Sequence, residues 1–150
     1  MRAVIQRVEK ASVVILEKEI AKIEQGLLVL LGIEIEDAKE DALWLSGKIA
    51  SLRIFSDKKG VMNNSITESA GEVIVVSQFT LHAKTKKGNR PSYIKAARPE
   101  KAISLYQQFK EDLALAISRQ VQSGEFGADM KVSLINDGPV TILIDSKNKE

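Results

Sequence analysis

The apolar segment Leu27–Ile33, which directly follows Gly26, constrains the fold more than any other part of the sequence. A strand with one face in solvent alternates apolar and polar residues, but this segment has no polar side chain. It therefore predicts a strand that is buried on both faces. A chain of 150 residues can supply that cover, because it buries roughly 70% of the surface that its unfolded form exposes. One domain is expected over residues 1–150, with a flexible tail at 146–150.

Further apolar segments predict strands on both sides of this one. They are Ala3–Val8, Ser12–Leu16, Arg53–Phe55, Glu72–Leu81, Met130–Leu134 and Val140–Ile144. The stretch 56–69 is expected to be irregular. The segment Glu72–Leu81 is rich in β-branched residues, but its last third is polar.

Two segments have the spacing of amphipathic helices. From Asp37 onwards, apolar residues recur every three or four positions as far as Leu52. A second helix is expected to begin at Pro99, where a missing N–H costs nothing, and to end at Gly124. Two helices far apart in the sequence, among neighbouring strand pairs, predict an α+β domain with a mainly antiparallel sheet.

The scarcity of cysteine and histidine excludes several kinds of enzyme site. The chain has no cysteine and one histidine, His82. Disulfides, thiolate nucleophiles, cysteine zinc sites and two-histidine metal centres are therefore excluded. A Ser-His-Asp triad would have to use His82, and no Gly-x-Ser-x-Gly motif is present to partner it. Glycine-rich nucleotide-binding motifs are also absent, so an enzyme of this composition is expected to use no metal and no cofactor.

A cytoplasmic location is expected, because neither a secretory signal nor a membrane-spanning segment is recognisable in the sequence. Arg2, Gln6 and Arg7 lie where a secretory signal would need an apolar region. The longest apolar run, Leu27–Leu31, is too short to span a bilayer. We therefore expect a soluble protein with no membrane partner.

Basic charge is concentrated in one segment of the second half. Residues 1–75 carry 10 basic and 12 acidic side chains, whereas residues 76–150 carry 12 and 8. Between His82 and Lys101, Glu100 is the one acidic residue among seven basic ones: Lys84, Lys86, Lys87, Arg90, Lys95, Arg98 and Lys101. Such an excess suits a polyanion such as a nucleic-acid backbone. The alternative is an ordinary solvated basic loop.

The segment Ser77-Gln78-Phe79-Thr80-Leu81 is the first candidate for chemistry. In a regular strand Ser77 and Phe79 would face one side, and Gln78 and Thr80 the other. All four can line one pocket only where the strand bulges or ends. Backbone N–H groups freed at such an end could stabilise an oxyanion. The alternative is a strand end with ordinary polar residues.

The segment Asn136-Asp137-Gly138-Pro139-Val140-Thr141 is the second candidate. Its composition is typical of a hairpin turn. A rigid Gly-Pro peptide could instead direct two carbonyl oxygens at one cation.

The third candidate, Gly88-Asn89-Arg90-Pro91-Ser92-Tyr93, lies within the basic segment and could contact phosphates and stack on a base. A surface loop with a turn at Pro91 is its alternative. Arg7 is a fourth candidate, because alternation places it on the same strand face as Ala3 and Ile5. It could be an exposed end residue or an arginine that turns inward to hold carbonyl groups.

Together, Ser-Gln-Phe-Thr-Leu at 77–81 and Asn-x-Gly-Pro-Val-Thr at 136–141 resemble the signature pair of the D-aminoacyl-tRNA deacylases. The resemblance covers nearly the whole chain. It extends to 1–8, 26–32, 88–93 and Phe126-Gly127-Ala128-Asp129-Met130. Tyr93 departs from the phenylalanine that is expected in the Arg-Pro-Ser-Phe pattern, and it preserves the aromatic surface.

The resemblance implies a barrel-like sheet with two long helices packed outside, and a homodimer with its active site at the subunit interface. It further implies that the Gly138–Pro139 peptide is cis and enters the partner's site, where its carbonyl oxygens hold the substrate ammonium and reject L-amino acids. Arg7 would lock this turn. Ser77, Gln78, Phe79 and Thr80 would line the catalytic pocket for the 3′ end of the aminoacyl-tRNA. Phe126 and Met130 would flank its adenine.

The implied reaction is hydrolysis of the ester bond of D-aminoacyl-tRNA, and of glycine mischarged on the alanine tRNA. Backbone N–H groups would stabilise the oxyanion and the ribose 2′-OH would assist, with Thr80 as a weaker candidate nucleophile because no base is evident for it. The alternatives are a non-catalytic RNA-binding module that uses the basic loop 84–101, and a structural dimer. No DNA partner is expected.

Overall fold

The computed structural model describes residues 1–150, and the predicted doubly buried strand is its third strand. The strands are β1 (Arg2–Ile15), β2 (Lys18–Ile23), β3 (Gly26–Gly32), β4 (Phe55–Ser56), β5 (Met62–Asn64), β6 (Glu72–Ser77), β7 (Gln122–Ser123) and β8 (Lys131–Asp145). The helices are α1 (Lys39–Ser51) and α2 (Pro99–Ile117), and a 3₁₀ turn covers Phe79–His82. Neither helix is both long enough and apolar enough to cross a membrane.

The strands form a nearly closed, barrel-like mixed sheet. β1 pairs in antiparallel fashion with β8 along one edge, and with β3 and then β2 along the other. β3, β6 and β7 continue the sheet in parallel. The Gln122 side chain of β7 accepts a hydrogen bond from the N–H of Lys22 and donates one to its carbonyl on β2, which links the two ends. The predicted α+β class, with a barrel-like core, is confirmed.

Two hydrophobic cores lie on the two faces of β3. Leu27, Val29 and Leu31 face the helices and join the larger core, whereas Leu28 faces the barrel interior. Both helices pack on the larger core, to which α1 contributes Leu45 and Ile49 and α2 contributes Phe109 and Leu113 among others. Because no face of β3 meets solvent, its sequence needs no polar position.

Several predicted boundaries are wrong. The segment Ala3–Val8 and all but the last residue of Ser12–Leu16 belong to one bulged strand, β1. Strand β2, half of whose residues are charged, was not predicted. Strand β5 lies within the stretch expected to be irregular. The predicted strand Glu72–Leu81 ends at Ser77.

Helix α2 also ends earlier than its apolar spacing predicts. Ser118 has a left-handed backbone (φ 53°) and stops the helix at Ile117, well before Gly124. The residues beyond it instead form β7, which pairs with β6. Pairing to the sheet thus overrides the helical spacing, which runs on to Val121.

The chain ends meet in a buried polar cluster below α1. The α-amino group of Met1 donates to the carboxylate of Asp37 and, at 2.9 Å, to the Ser146 hydroxyl. Ser146 and Lys147 each donate to Asp41 at 2.7 Å. Burial raises the pKa of Asp41, but these hydrogen bonds and one from the Ala38 N–H outweigh it and lower the pKa to about 2. The first residues of the predicted tail are therefore anchored.

Candidate active site

A mostly apolar cavity of about 260 Å³ lies where the parallel strands β3 and β6 end. Parallel strands deliver their carboxyl ends to one edge, which is a common place for ligand sites. Among the predicted site residues, the cavity is lined by Ser77, Gln78, Phe79, Phe126 and Met130. Residues from two segments separated by about a third of the chain thus surround one space.

The end of β6 explains how neighbouring side chains can share this cavity. The N–H of Gln78 still donates to the Leu31 carbonyl of β3, at 2.8 Å. The backbone then leaves the extended conformation for the 3₁₀ turn, so strict alternation stops. The N–H groups of Phe79 and Thr80 are the first two of this turn, and a 3₁₀ turn offers no acceptor within itself to its first residues.

Thr80 lies apart from the other residues of its motif. It lines a neighbouring groove with Arg2, Val4 and Leu143 rather than the cavity. Its hydroxyl oxygen accepts a hydrogen bond from the Gln78 side-chain amide at 2.5 Å. An amide donor cannot remove a proton from a hydroxyl, so this contact does not activate Thr80 as a nucleophile.

The far wall of the cavity is the segment between β7 and β8. The Phe126 ring stands edge-on to the Tyr106 ring of α2, with centroids 5.9 Å apart. Burial raises the pKa of Tyr106 to about 12, and its hydroxyl donates to the Val75 carbonyl of β6 at 2.8 Å. Met130 packs closely on Gly124, where an added Cβ would lie 2.3 Å from the Met130 sulfur. Of the two predicted adenine-flanking residues, Phe126 therefore packs on a buried ring and Met130 on the half-buried Gly124.

Gly138 and Pro139 do not line the cavity of their own chain. They lie in an exposed turn, and the peptide between them is cis. The two predicted strands around them are both parts of β8, which pairs with β1 on either side of the turn. The hairpin interpretation is therefore wrong, because four residues, 137–140, bulge out opposite Arg7. The Asn136 side chain closes this bulge by accepting from the Val140 N–H at 2.9 Å.

Arg7 turns inward and holds the base of this turn. Its guanidinium donates to the carbonyl of Asp137 at 3.2 Å and to that of Ile54 at 2.5 Å. The Asp137 carboxylate lies 3.1 Å from the same Arg7 Nε. An added Cβ on Gly138, whose φ is +125°, would lie 2.9 Å from the guanidinium. Of the two alternatives for Arg7, the structure has the buried, carbonyl-binding one.

His82 takes no part in a catalytic triad. Its ring is buried, and neither ring nitrogen bonds to a side chain. Burial lowers the pKa of His82, so the ring is neutral at pH 7. It is the last residue of the 3₁₀ turn and packs against Gly32, where an added Cβ would come within 3.1 Å of the imidazole.

Sequence reasoning missed part of the cavity wall. The cavity is also lined by Ala97, which precedes α2, and by Ala102 in the first turns of α2. Their small side chains gave no signal in the sequence. It also missed the partner of Phe79, which is the Tyr93 ring at a centroid distance of 4.9 Å. The aromatic residue in the third candidate motif was the available signal.

The sequence model of the family described as D-Tyr-tRNA(Tyr) deacylase matches residues 4–145. The chain belongs to this family. A D-aminoacyl-tRNA deacylase from Flavobacterium psychrophilum is 65% identical over 150 residues, which is all of both chains. One from Bacteroides fragilis is 61% identical over the same full length. The predicted family and the predicted enzyme class, a D-aminoacyl-tRNA deacylase, are confirmed.

Solved structures agree with the deacylase fold. A structure named as a c-Myc DNA unwinding element binding protein has a TM-score of 0.92 and 39% identity. It covers 97% of this chain and 98% of its own. A structure described as a probable eukaryotic D-amino acid tRNA deacylase has a TM-score of 0.81. At 17% identity, over 95% of this chain and 97% of that one, this second likeness concerns the fold alone.

Proposed function

We propose that this deacylase hydrolyses the ester bond of D-aminoacyl-tRNA, and of glycine mischarged on the alanine tRNA, with backbone groups instead of a side-chain nucleophile. One observation carries the proposal. The cavity that gathers Ser77, Gln78, Phe79, Phe126 and Met130 contains no pair of nucleophile and base. Its polar groups come from the end of β6 and from the 3₁₀ turn that follows it.

In the proposed reaction, water attacks the ester carbonyl and the N–H groups of Phe79 and Thr80 stabilise the oxyanion. Preorganised N–H donors of this kind lower the barrier without any proton transfer of their own. The proton leaving the attacking water needs an acceptor, and His82 is buried without access to the cavity lining. The 2′-OH of the terminal ribose lies beside the ester and can relay this proton to the departing 3′ oxygen, so that the products are the free amino acid and the tRNA. We therefore assign the assisting role to the tRNA.

Chirality is read, in this proposal, by the carbonyl oxygens of Gly138 and Pro139. An ammonium group held between two fixed carbonyls leaves one direction for the side chain, and an L side chain would point into the turn. Glycine has no side chain to exclude, so it is accepted. The hydrogen bonds that Arg7 donates, and the one that the Asn136 side chain accepts from the Val140 N–H, supply the stiffness that such a filter needs.

We assign this filter to the partner subunit of a homodimer. The turn is exposed and does not line its own cavity, so a second copy is needed to bring filter and cavity together. An outer face of the sheet offers an apolar surface for this contact, with Leu143 66% exposed beside a groove that includes Val4 and Thr80. The proposed substrate is RNA, because the assisting 2′-OH is absent from DNA, and the proposed location is the cytoplasm.

The first experiment is a deacylation time course of D-Tyr-tRNA and L-Tyr-tRNA with the purified protein, with and without EDTA. We expect rapid, EDTA-resistant loss of the D-ester alone. If neither ester is consumed faster than in buffer, the catalytic proposal falls and an RNA-binding role takes its place. Sedimentation of the same sample tests the homodimer.

The filter is tested by Pro139→Ala, with Pro99→Ala at the first turn of α2 as the matched control. We expect Pro139→Ala to reduce the ratio of D- to L-ester hydrolysis and Pro99→Ala to leave it unchanged. Equal ratios in both variants would remove the turn from the mechanism.

The source of proton transfer is tested by comparing Thr80→Ala with a tRNA that ends in 2′-deoxyadenosine. We expect the deoxy substrate to be hydrolysed far more slowly, and the Thr80→Ala enzyme to keep most of its rate. Complete loss in Thr80→Ala together with normal hydrolysis of the deoxy substrate would instead make Thr80 the nucleophile.

A further inference from the structure

The basic segment contains a small hairpin whose charged side chains form no salt bridge. Backbone hydrogen bonds of 2.8 and 3.0 Å join Lys84 to Ser92. We refer to residues 84–92 as the basic hairpin. It carries four basic side chains and no acidic one: Lys84, Lys86, Lys87 and Arg90. These four are exposed, and none of them makes a salt bridge or a side-chain hydrogen bond.

The segments before and after the basic hairpin both contain residues that line the cavity. On one side the hairpin follows the 3₁₀ turn that carries Phe79, a cavity-lining residue. On the other side it leads to Ala97, which also lines the cavity and whose N–H donates to the Ile33 carbonyl at 2.9 Å. The hairpin therefore projects from the rim of the cavity.

Two aromatic rings lie between the cavity and the hairpin. Phe79 lines the cavity, and Tyr93 is the first residue after the hairpin. Their rings meet edge to face with centroids 4.9 Å apart, and their side chains remain 55% and 38% exposed. Large aromatic rings left half in solvent at a cavity mouth offer a surface for stacking.

We propose that Tyr93 and the basic hairpin bind the single-stranded 3′ end of the tRNA just outside the cavity. The Tyr93 ring stacks on a base next to the terminal adenosine, and the four basic side chains contact the following phosphates. This inference rests on the proposed function for the identity of the RNA. It adds a second contact region, which acts on substrate affinity and not on the chemical step.

A single-stranded nucleic acid fits this surface better than an acidic protein would. Stacking platforms next to basic side chains are the usual means of holding single strands without sequence reading. Uncompensated lysine and arginine on a projecting hairpin can follow a phosphate chain as it leaves the cavity. An acidic protein segment would use the charges but would leave the ring pair without a role.

The test neutralises the basic hairpin by K84Q, K86Q, K87Q and R90Q in one protein. The matched control removes four exposed lysines that lie on elements without cavity-lining residues, by K10Q, K18Q, K22Q and K39Q. Kd for uncharged tRNA is measured over a range of salt concentrations. Each phosphate contact on a single strand contributes about 0.7 to the slope of log K against log salt, so four contribute about 3. We expect a slope lower by that amount in the hairpin variant, and a smaller change in the control.

Turnover separates this role from a catalytic one. For D-Tyr-tRNA, the hairpin variant should show KM raised by ~10-fold or more with kcat unchanged, since the basic hairpin supplies phosphate contacts alone. Tyr93→Leu should raise KM by about 5- to 150-fold, which corresponds to the loss of one stacked base, and Tyr93→Phe should restore it.

The hairpin inference is overturned if the hairpin variant and the control share the same Kd and the same salt slope. A fall in kcat with unchanged KM would also overturn it, because the hairpin would then act on catalysis. If the wild-type protein hydrolyses neither ester, the proposed function fails. The Kd comparison on uncharged tRNA still decides the hairpin inference in that case.

Discussion

Replacing Arg7 by alanine should loosen the exposed turn and destabilise the fold by an amount that the structure specifies. The guanidinium donates to two main-chain carbonyls, of Ile54 and Asp137. A hydrogen bond from a charged donor contributes about 1.5–3 kcal/mol, and the Ile54 carbonyl is left buried without its partner. We therefore expect a loss of about 3–5 kcal/mol in the free energy of unfolding. That is a large part of the ~5–15 kcal/mol typical of a domain.

Two further variants separate the carbonyl contacts from the ion pair with Asp137. The Asp137 side chain is 45% exposed, so its ion pair should contribute about 1 kcal/mol or less, and Asp137→Asn should cost no more than this. Arg7→Lys keeps the charge but loses the forked donor, and should fall between the other two. Urea unfolding gives the three free energies, and the ratio of D- to L-ester hydrolysis should fall in the same order. If Asp137→Asn costs as much as Arg7→Ala, the ion pair holds the turn and the reasoning about carbonyls is wrong.

Three more outcomes follow from contacts elsewhere. Because the folded-state pKa of Asp41 is about 2 and its ordinary value is 3.8, its contribution to stability is complete above about pH 4 and is lost as the pH falls towards 2. Thermal unfolding over this range should therefore depend less on pH in Asp41→Asn than in the wild type. Gly124→Ala puts a Cβ 2.3 Å from the Met130 sulfur and should displace that flexible side chain, which raises KM for D-Tyr-tRNA by about fivefold, or roughly 1 kcal/mol, in steady-state assays. Gly26→Ala meets the Glu72 carbonyl at 1.9 Å and should destabilise by several kcal/mol, whereas Gly47→Ala, with open space around it, should gain about 0.5–1 kcal/mol in urea unfolding.

The sequence predicted best those parts of the fold in which hydropathy reports burial directly. The segment Leu27–Ile33 is buried on both faces, and the first helix lies within a residue or two of its predicted limits. Prediction failed where distant pairing decides the structure. Three of the six residues of strand β2 are charged, and all three are exposed because one face of the strand is in solvent. Residues 122–123 leave the helical pattern because β6 offers them a partner.

In the candidate site, too, the sequence predicted what depends on one strand and missed what depends on distant contacts. Alternation alone placed Arg7 on the inner face of β1, because that inference needs one strand and nothing else. The arrangement of Ser77, Gln78 and Phe79 around one cavity depends on where β6 stops, and the 3₁₀ turn that stops it packs closely against Gly32. That contact cannot be predicted from the local sequence around residues 77–82.

The bulge in β8 supports the proposal that the filter and the pocket of one site come from two copies of the chain. Residues 137–140 are extra to the pairing of β1 with β8, so they can project without breaking the ladder on either side. Arg7 lies opposite the bulge and donates to the carbonyl of Ile54, a residue of the larger core. This contact gives the projecting turn a rigid base. The cavity is built on β3 and β6, and shares no residue with that turn. Because Arg7 holds the turn away from the cavity of its own chain, the proposed filter depends on a second copy, and a monomeric enzyme with full chiral selectivity would contradict it.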